Sequence, residues 1–430
     1  MKGWFIHLKM RAGLVSRKIH KEMEPTCHTF ENGLRFVHLR TSGSVGHLGF
    51  FFRAGSRFEE GNKIGLAHFL EHCVFKGTKK RNAIQTISRI DEVGGELNAY
   101  TAKEELCLHA SFPKEYTSRA IELLSDIAIN PIFPESELEK EKEIILDEIN
   151  SYLDSPYDKL FDDFEEEFFK GHALGNNILG KKAGIQKLKK TDLDSFVKNY
   201  FSKDNLVISF VGNIPFTQMK KWLEKYLEPM PAKSLKIRID SFNGYAVFNE
   251  KRKEANYQAH VLLGGMAPSY KDEKRVAMTL LMNILGGPAL NSSLNLLLRE
   301  KHVLAYSVEA NYVPYADVGF WQIYLGCESK NLNKAISLVK KELKRIQKSP
   351  ISLNKLNKAK QQLKGQMALS MDVNSSLMHS LGKSLLTFGQ IDTIEEIHRS
   401  IDQITSEELL MLAREYLSLS QVSTMVFDLK

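Results

Sequence analysis

The sequence predicts an α+β protein made of two tandem homologous halves, each with a sheet covered by helices. Strand-like and helical stretches alternate irregularly along the 430 residues, a pattern typical of the α+β class. Segments of similar pattern also recur in the same order in the two halves, at offsets of about 210 to 216 residues. Because random matches seldom keep both order and offset, we infer an internal duplication.

Four pairs of segments support the duplication. The first pair is strand-like, the next two are helical, and the last is helical with a β-rich run behind it. The pairs are residues 46–52 and 260–263, 63–76 and 273–285, 120–124 and 335–339, and 193–201 and 409–417. The β-rich runs cover residues 206–211 and 422–427. We therefore expect equivalent strands and helices in the two halves.

A proline-bearing segment separates the halves. Pro229 and Pro231 disfavour helix continuation and stiffen a linker, which we assign to residues 228–245. We expect a domain with the metal motif described below at residues 26–227 and a homologous domain without it at residues 246–430. Residues 1–25 are a basic leader and a candidate for disorder.

The leader leaves two interpretations open. Residues 1–21 carry six Lys or Arg and no Asp or Glu, a composition that mildly resembles an organellar transit peptide. The alternative, which we favour, is a disordered or mis-started leader before a domain that begins near Thr26. The sequence has no secretory signal and no run of 18 apolar residues. We expect no membrane span and a cytoplasmic protein, and organellar targeting is not excluded.

The charge distribution does not favour a nucleic-acid partner. The net charge of +7 is the difference between 59 Lys or Arg and 52 Asp or Glu, which makes a mixed surface. Nucleic-acid-binding domains typically concentrate their basic residues in a patch or stripe. No domain of this sequence has such a stripe, so we expect no nucleic-acid partner.

The central motif is His68-Phe69-Leu70-Glu71-His72. On a helix, the two histidines lie about 40° apart and Glu71 lies about 60° to the other side of His68. Two imidazoles one turn apart can both bind one zinc ion, with the Glu71 carboxylate beside the open coordination position. A His-x-x-x-His pair on a helix is more often an ordinary surface or core feature than a metal site. The metal interpretation therefore needs a third ligand.

A candidate third ligand lies on the helical stretch from Glu135 to Leu153. Glu141 and Glu148 are seven residues apart and share an otherwise apolar stripe of this helix. Unpaired buried carboxylates are costly, and a metal ion would offset that cost. An assignment that is coherent with this pattern makes Glu148 the third zinc ligand and lets Glu141 support a ligand histidine by a hydrogen bond. The second half has no such residues, so one Zn²⁺ per chain is expected.

Four segments carry a resemblance to the pitrilysin/insulinase (M16-type) family of zinc peptidases. They are HFLEHCVFKGT at residues 68–78, GGELNAYT at 94–101, EKEIILDEI at 141–149 and LREKHVLAYS at 298–307. HxxEH is the inverted zincin motif. Within the family, the sequence is most similar to the mitochondrial processing peptidase β subunit and its bacterial relatives. The resemblance covers about residues 26 to 430.

The resemblance implies a fold, an activity and further site residues. Each domain would be a mixed, largely antiparallel sheet covered by helices, and two domains would form half of a clamshell. The chain would be a zinc metalloendopeptidase that cleaves peptides or unstructured polypeptide segments, with zinc-activated water and Glu71 as the general base. Arg299 and Tyr306 would bind substrate and stabilise the transition state. The strand with Asn98, Ala99, Tyr100 and Thr101 would bind substrate.

Two departures from the family pattern concern the second half. Residues 286–291 replace the usual glycine-rich run, and His302 stands where Gly is common. They bear on loop geometry and specificity more than on the chemistry.

The resemblance also implies an assembly and one alternative function. A two-domain chain would form a dimer, with a homodimer as the expected state and a heterodimer as the runner-up. The alternative function is a non-catalytic scaffold or partner subunit of a hetero-oligomeric processing peptidase. Such subunits have typically lost the zinc residues, and this sequence keeps them. We therefore expect an active enzyme.

Overall fold

A computed structural model describes residues 24–61, 63–233 and 239–430. The proposed leader lies outside the described residues except for its last two positions. The proposed linker is described except for its central residues 234–238.

The first sheet contains six strands in the order β1-β2-β6-β3-β5-β4. Strands β2 and β6 are parallel, and the other neighbours are antiparallel. The mixed, largely antiparallel sheet is therefore confirmed for the first half. The strands are β1 Thr26–Thr29, β2 Arg35–Arg40, β3 Val45–Phe52, β4 Glu96–Thr101, β5 Leu106–Pro113 and β6 Leu206–Gly212.

The second sheet repeats this topology. Its order is β7-β11-β8-β10-β9, with β7 and β11 parallel and the other neighbours antiparallel. Taken in chain order, β7 to β11 correspond one to one with β2 to β6 of the first sheet. The duplication inferred from the sequence is thus present in the fold. The strands are β7 Asn249–Glu254, β8 Ala259–Ala267, β9 Ala305–Pro314, β10 Gly319–Cys327 and β11 Ser423–Leu429.

The helices also recur in equivalent positions. Those of the first half are α1 Leu66–Cys73, α2 Ala83–Asp91, α3 Thr117–Ile129, α4 Glu135–Leu153, α5 Pro156–Phe168, α6 Lys182–Ile185, α7 Lys190–Tyr200 and α8 Phe216–Leu227. Those of the second half are α9 Arg275–Gly286, α10 Leu332–Ile346, α11 Leu353–Met371, α12 Asn374–Phe388, α13 Ile394–Gln403 and α14 Ser406–Tyr416. Each segment pair from the sequence falls on equivalent elements: β3 and β8, α1 and α9, α3 and α10, α7 and α14.

The compact units differ from the two contiguous domains expected from the sequence. One unit contains the described residues up to Glu143, those from 178 to 233, and Ser370–Thr393. The other contains Ile144–Asn177, the described residues from 239 to Leu369, and Ile394–Lys430. Helices α5 and α12, which occupy equivalent positions in the two halves, are exchanged between the units. The boundary between the two repeated halves at residues 228–245 remains a prediction, because the compact units are not contiguous in sequence.

Apolar packing explains why α12 belongs to the first unit. Its buried face packs on the first sheet in a cluster with strands β2, β3, β5 and β6; the helix contributes Met378, Leu381, Leu385 and Leu386. A Cβ atom at Gly382 would overlap the Phe51 ring, so this glycine permits the close approach of helix and sheet. The Ser209 hydroxyl donates to the Met378 carbonyl oxygen at 2.7 Å. The equivalent helix of the first half has a matching role in the second unit.

Helix α5 packs on the second sheet through aromatic side chains. Ser155 caps it by accepting a hydrogen bond from the Asp158 N–H, and Pro156 occupies its first turn. Its inner face packs against β8, β10 and β11 in a buried cluster that includes Leu160, Phe164, Phe168, Leu262, Phe320 and Phe427. Within the described residues, no helix combines the length and apolar character that crossing a bilayer requires.

Candidate active site

Helix α1 carries the HxxEH motif, and a carboxylate from outside the helix caps its N-terminus. Its N-cap residue Gly65 has φ of +94° and no side chain to cap the helix. Glu59 does so instead: Oε2 accepts from Gly65 N at 3.0 Å and Oε1 accepts from Ala67 N at 2.8 Å. Opposite the histidines, Phe69, Leu70 and other apolar side chains are buried. The helix is thus held at its N-terminus and along its apolar face.

His68 and His72 lie side by side on the other face of α1. Their ring centroids are 4.7 Å apart with an interplanar angle of 72°. Burial, and then the neighbouring His72, lowers the pKa of His68 to about 4. His68 is therefore neutral at pH 7, which is the form of histidine that binds metal ions.

Glu141 orients His72. The Nδ1 atom of His72 lies 3.0 Å from Oε2 of Glu141, so an Nδ1–H donates to this carboxylate and directs the other ring nitrogen away from it. The second oxygen of Glu141 accepts from Lys76 Nζ at 2.6 Å. The Glu141 side chain is 5% exposed, and these two partners compensate its buried charge.

Glu148 completes a three-residue group with the histidines. It follows Glu141 by two turns on the single helix α4, and the division between the compact units passes through this helix after Glu143. One ligand atom from each of His68, His72 and Glu148 lies within 4.8 Å of the others. Two imidazoles and one carboxylate, with a carboxylate behind one imidazole, suit a catalytic zinc. Glu71 is half-buried on the same helix as the histidines.

The first prediction concerns metal stoichiometry. The described residues contain one group of this kind, so we expect about one zinc per chain. His68→Ala and Glu148→Gln should each lose the metal, because two remaining ligands hold zinc poorly. Elemental analysis of protein purified in zinc-replete buffer measures this. Absence of zinc from the unaltered chain would contradict the assignment.

The second prediction separates Glu141 from Glu148. Glu141→Gln should weaken zinc affinity about 10- to 100-fold without abolishing binding, because Glu141 acts through His72. Competition with a chelator measures the affinity, and Glu148→Gln serves as the matched comparison. Equal and complete loss of zinc in both variants would mean that the two roles are assigned wrongly.

Strand β4 forms the outer edge of the first sheet. Asn98, Ala99, Tyr100 and Thr101 lie on it, paired with β5 on one side. The Thr101 hydroxyl lies 3.4 Å from the Ala67 carbonyl oxygen of α1. The strand that the resemblance assigns to substrate binding is therefore an edge strand beside the HxxEH helix. Its role remains a prediction.

Arg299 and Tyr306 line one cavity in the second unit. Arg299 lies on the short helical segment Asn295–Lys301, and Tyr306 lies near the start of β9. The cavity has a volume of about 510 Å³ and also includes Glu309 and residues 286–288. The Tyr306 hydroxyl donates to Glu328 Oε1 at 3.2 Å, and this bond raises the pKa of Tyr306, which keeps it protonated. The fold thus brings together the two residues suggested by the resemblance.

Two supporting residues were missed by sequence reasoning. Glu59 is six residues before Gly65, the N-cap residue of α1, and the run Phe58-Glu59-Glu60-Gly61 does not identify which carboxylate turns inward. Lys76 is one turn beyond His72, and the spacing of His72 and Lys76 could have suggested a shared partner. Glu59 fixes the start of the HxxEH helix, and Lys76 pairs with Glu141, the partner of His72. Neither residue is part of the motif.

Comparisons with known proteins agree with this fold and site. Residues 36–182 match the family model "Insulinase (Peptidase family M16)", and residues 187–363 match "Peptidase M16 inactive domain". The uncharacterized zinc protease YmxG of Bacillus subtilis is 32% identical over 90% of this chain and 94% of its own length. An uncharacterized zinc protease of Mycobacterium leprae is 31% identical, over 91% of this chain and 88% of its own length.

Solved structures share the same fold. The peptidase M16 inactive domain from Pseudomonas fluorescens superposes with a TM-score of 0.88 at 17% identity, covering 95% of this chain and 99% of the other. A protease from Helicobacter pylori gives 0.85 at 20% identity, covering 94% and 99%. The fold and the two matched models together define an M16-type protein. The chain belongs to the pitrilysin/insulinase family, peptidase family M16.

Proposed function

We propose that this protein is a zinc-dependent endopeptidase that hydrolyses peptides or unstructured polypeptide segments. The observation that carries the proposal is the group formed by His68, His72 and Glu148, with Glu71 on the same helix as the histidines. The relatives named zinc proteases share the family, which supports protease chemistry in general. A metal held by the three residues would lower the pKa of a water molecule and polarise the scissile carbonyl.

The protein's own residues supply the proton transfers and the orientation. Glu71 would accept the proton of the attacking water and later deliver it to the leaving amine. Glu141 holds the imidazole of His72 in one orientation through the hydrogen bond at Nδ1. Tyr306 and Arg299 would donate to the oxygen on which negative charge develops.

The edge strand β4 offers a binding mode for an extended substrate. Its outer edge is free of neighbouring strands among the described residues, and a peptide could add there by main-chain hydrogen bonds. Binding through main-chain hydrogen bonds depends little on the side chains of the peptide. It therefore suits unstructured segments of varied sequence.

We further propose that the working enzyme is a homodimer with shared active sites. Zinc ligands and the Arg299/Tyr306 pair lie in different sequence halves, and the family resemblance implies that the pair acts on a site of another two-domain chain. One chain contains both parts, so a symmetric dimer with two sites is sufficient. A heterodimer with a specialised partner is the alternative.

One experiment tests the proposed activity directly. Zinc-loaded protein is incubated with a mixed peptide library, and the cleavage sites are read by mass spectrometry. We expect cleavage that stops on chelation and returns with zinc. Absence of cleavage by the pure chain, with activity restored by a second chain, would favour a subunit of a hetero-oligomeric peptidase.

A further inference from the structure

Three histidines of the first unit line one groove between the sheet and helix α12. The groove has a volume of about 520 Å³. Its lining includes His47 of β3, His109 of β5 and His379 of α12. The rings of His109 and His379 meet edge to face, with centroids 4.6 Å apart. Imidazoles from the sheet therefore meet an imidazole from the helix that the second half of the sequence supplies.

The spacing of these two rings matches that of the histidine pair in the HxxEH motif. The ring centroids of His68 and His72 are 4.7 Å apart with an interplanar angle of 72°, and the angle between the rings of His109 and His379 is 82°. Ligand atoms of the first pair lie within 4.8 Å of each other. Two imidazoles at this spacing can approach one metal ion, which takes nitrogen ligands at about 2.0–2.1 Å.

The protein leaves nitrogen atoms of this groove unused. Among the described residues, the ring nitrogens of His109 and His379 have no hydrogen-bond partner, and Nδ1 of His379 is buried. A buried polar atom without a partner costs free energy, so a ligand that satisfies it is favoured. Nδ1 of His47 lies 2.8 Å from the Ser111 hydroxyl oxygen, which orients this ring and leaves Nε2 for another partner.

The protonation and charge of the groove suit a cation. Burial lowers the pKa of His109 to about 4 and also lowers the pKa values of His47 and His379. The three rings are therefore neutral at pH 7, which is the form of histidine that binds metal ions. The lining also contains the exposed carboxylate of Glu96 and, within the described residues, neither Lys nor Arg.

We propose that this groove is a second metal site, in which His109 and His379 bind one divalent ion of a late first-row transition metal. Imidazole nitrogen suits Ni²⁺, Cu²⁺ and Zn²⁺. His47 and Glu96 line the same groove and are the candidates for further ligands, and water fills the remaining positions. The proposal goes beyond the proposed function, because it requires neither a substrate nor hydrolysis.

The groove is expected to bind metal more weakly than the group in the HxxEH helix. That group has three ligand atoms within 4.8 Å of one another, and the described residues of the groove do not form such a set. An ion in the groove would thus start from two imidazoles. Gel filtration in metal-free buffer should remove it and leave about one zinc per chain, in the three-residue group.

An ion bound by both histidines would fasten α12 to β5. The helix already packs on the first sheet through apolar side chains, and the metal would add a polar link beside that contact. Because the two imidazoles come together only when the helix is packed, the ion stabilises the folded chain as its occupancy rises. The expected role of the site is structural.

The test titrates zinc-loaded protein with Ni²⁺ by isothermal titration calorimetry, and elemental analysis verifies that the zinc is retained. We expect about one Ni²⁺ per chain in the groove. His109→Gln and His379→Gln should each weaken this binding at least about 10-fold, since even an indirect partner of a metal contributes that much. The matched control is His398→Gln, a half-buried histidine of α13 that does not line the groove, and it should keep the affinity.

Hydrogen exchange and diffraction locate the ion. Ni²⁺ should slow amide exchange in residues 374–388 of the unaltered chain and of His398→Gln, but not of His379→Gln. If the groove variants do not fold, anomalous diffraction from Ni²⁺-soaked crystals of the unaltered chain decides: an ion between His109 and His379 supports the site, and Ni²⁺ only at other positions overturns it. No Ni²⁺ binding, or an affinity unchanged in both groove variants, also overturns it.

Discussion

Replacing Glu71 with Gln is expected to reduce turnover about 10²- to 10⁴-fold while zinc stays bound. The amide has nearly the same shape as the carboxylate but cannot accept the proton of the attacking water. The ligand group of His68, His72 and Glu148 does not include Glu71, so the metal content should stay at about one zinc per chain. Single-turnover cleavage of a peptide, with elemental analysis of the same sample, measures both quantities.

The matched control for Glu71→Gln is Glu141→Gln, described above. The first should change kcat at constant zinc affinity, and the second should change zinc affinity. Peptide affinity, measured by fluorescence anisotropy, should be retained in Glu71→Gln. A Glu71→Gln protein that cleaves at the rate of the unaltered chain would exclude Glu71 as the base.

The local chemistry of the metal group follows directly from sequence spacing. His68 and His72 are one turn apart, and Glu141 and Glu148 are two turns apart, because helical periodicity fixes the face on which a residue lies. Two inward carboxylates on an apolar stripe then require a compensating partner. The structure gives Glu141 the partners His72 and Lys76 and brings Glu148 to the histidines.

The exchange of α5 and α12 could not be predicted in the same way. An amphipathic helix shows which face is buried, but its pattern does not name the sheet that it covers. The spacing of Phe164 and Phe168 along the helix is compatible with burial against either sheet. The choice depends on shape, such as the space that Gly382 leaves for Phe51 in the first unit. The cap formed by Glu59 is also a tertiary contact rather than a spacing pattern.

The groove in the first unit, lined in part by His47, His109 and His379, shows a second limit of spacing arguments. His47, His109 and His379 are far apart in sequence, and none belongs to a short motif. They meet because β3 and β5 are neighbours and because α12 packs on the first sheet. Residues that appear ordinary one at a time can thus form a polar groove once an exchanged helix covers the sheet.

A mixture of two inactive variants is expected to recover activity if active sites are shared between chains. Glu71→Gln removes the base, and Tyr306→Phe removes a donor whose loss typically costs about 10²- to 10³-fold in kcat. In a mixed dimer, the intact zinc group of the Tyr306→Phe chain receives Tyr306 of the partner subunit. Random exchange makes half of the dimers mixed with one intact site each, so activity should reach about a quarter of the unaltered level.

The recovery must be distinguished from simple addition of residual activities. Exchange is verified with two fluorescent labels, and activity is followed as exchange proceeds. A control mixture of Glu71→Gln with His68→Ala should stay inactive, because one chain lacks the base and the other lacks a zinc ligand, and both parts of a site come from the same chain. If the first mixture stays at the sum of its parts after complete exchange, each site is built within one chain. The shared-site dimer would then be wrong, while the zinc group and Glu71 would keep their proposed roles.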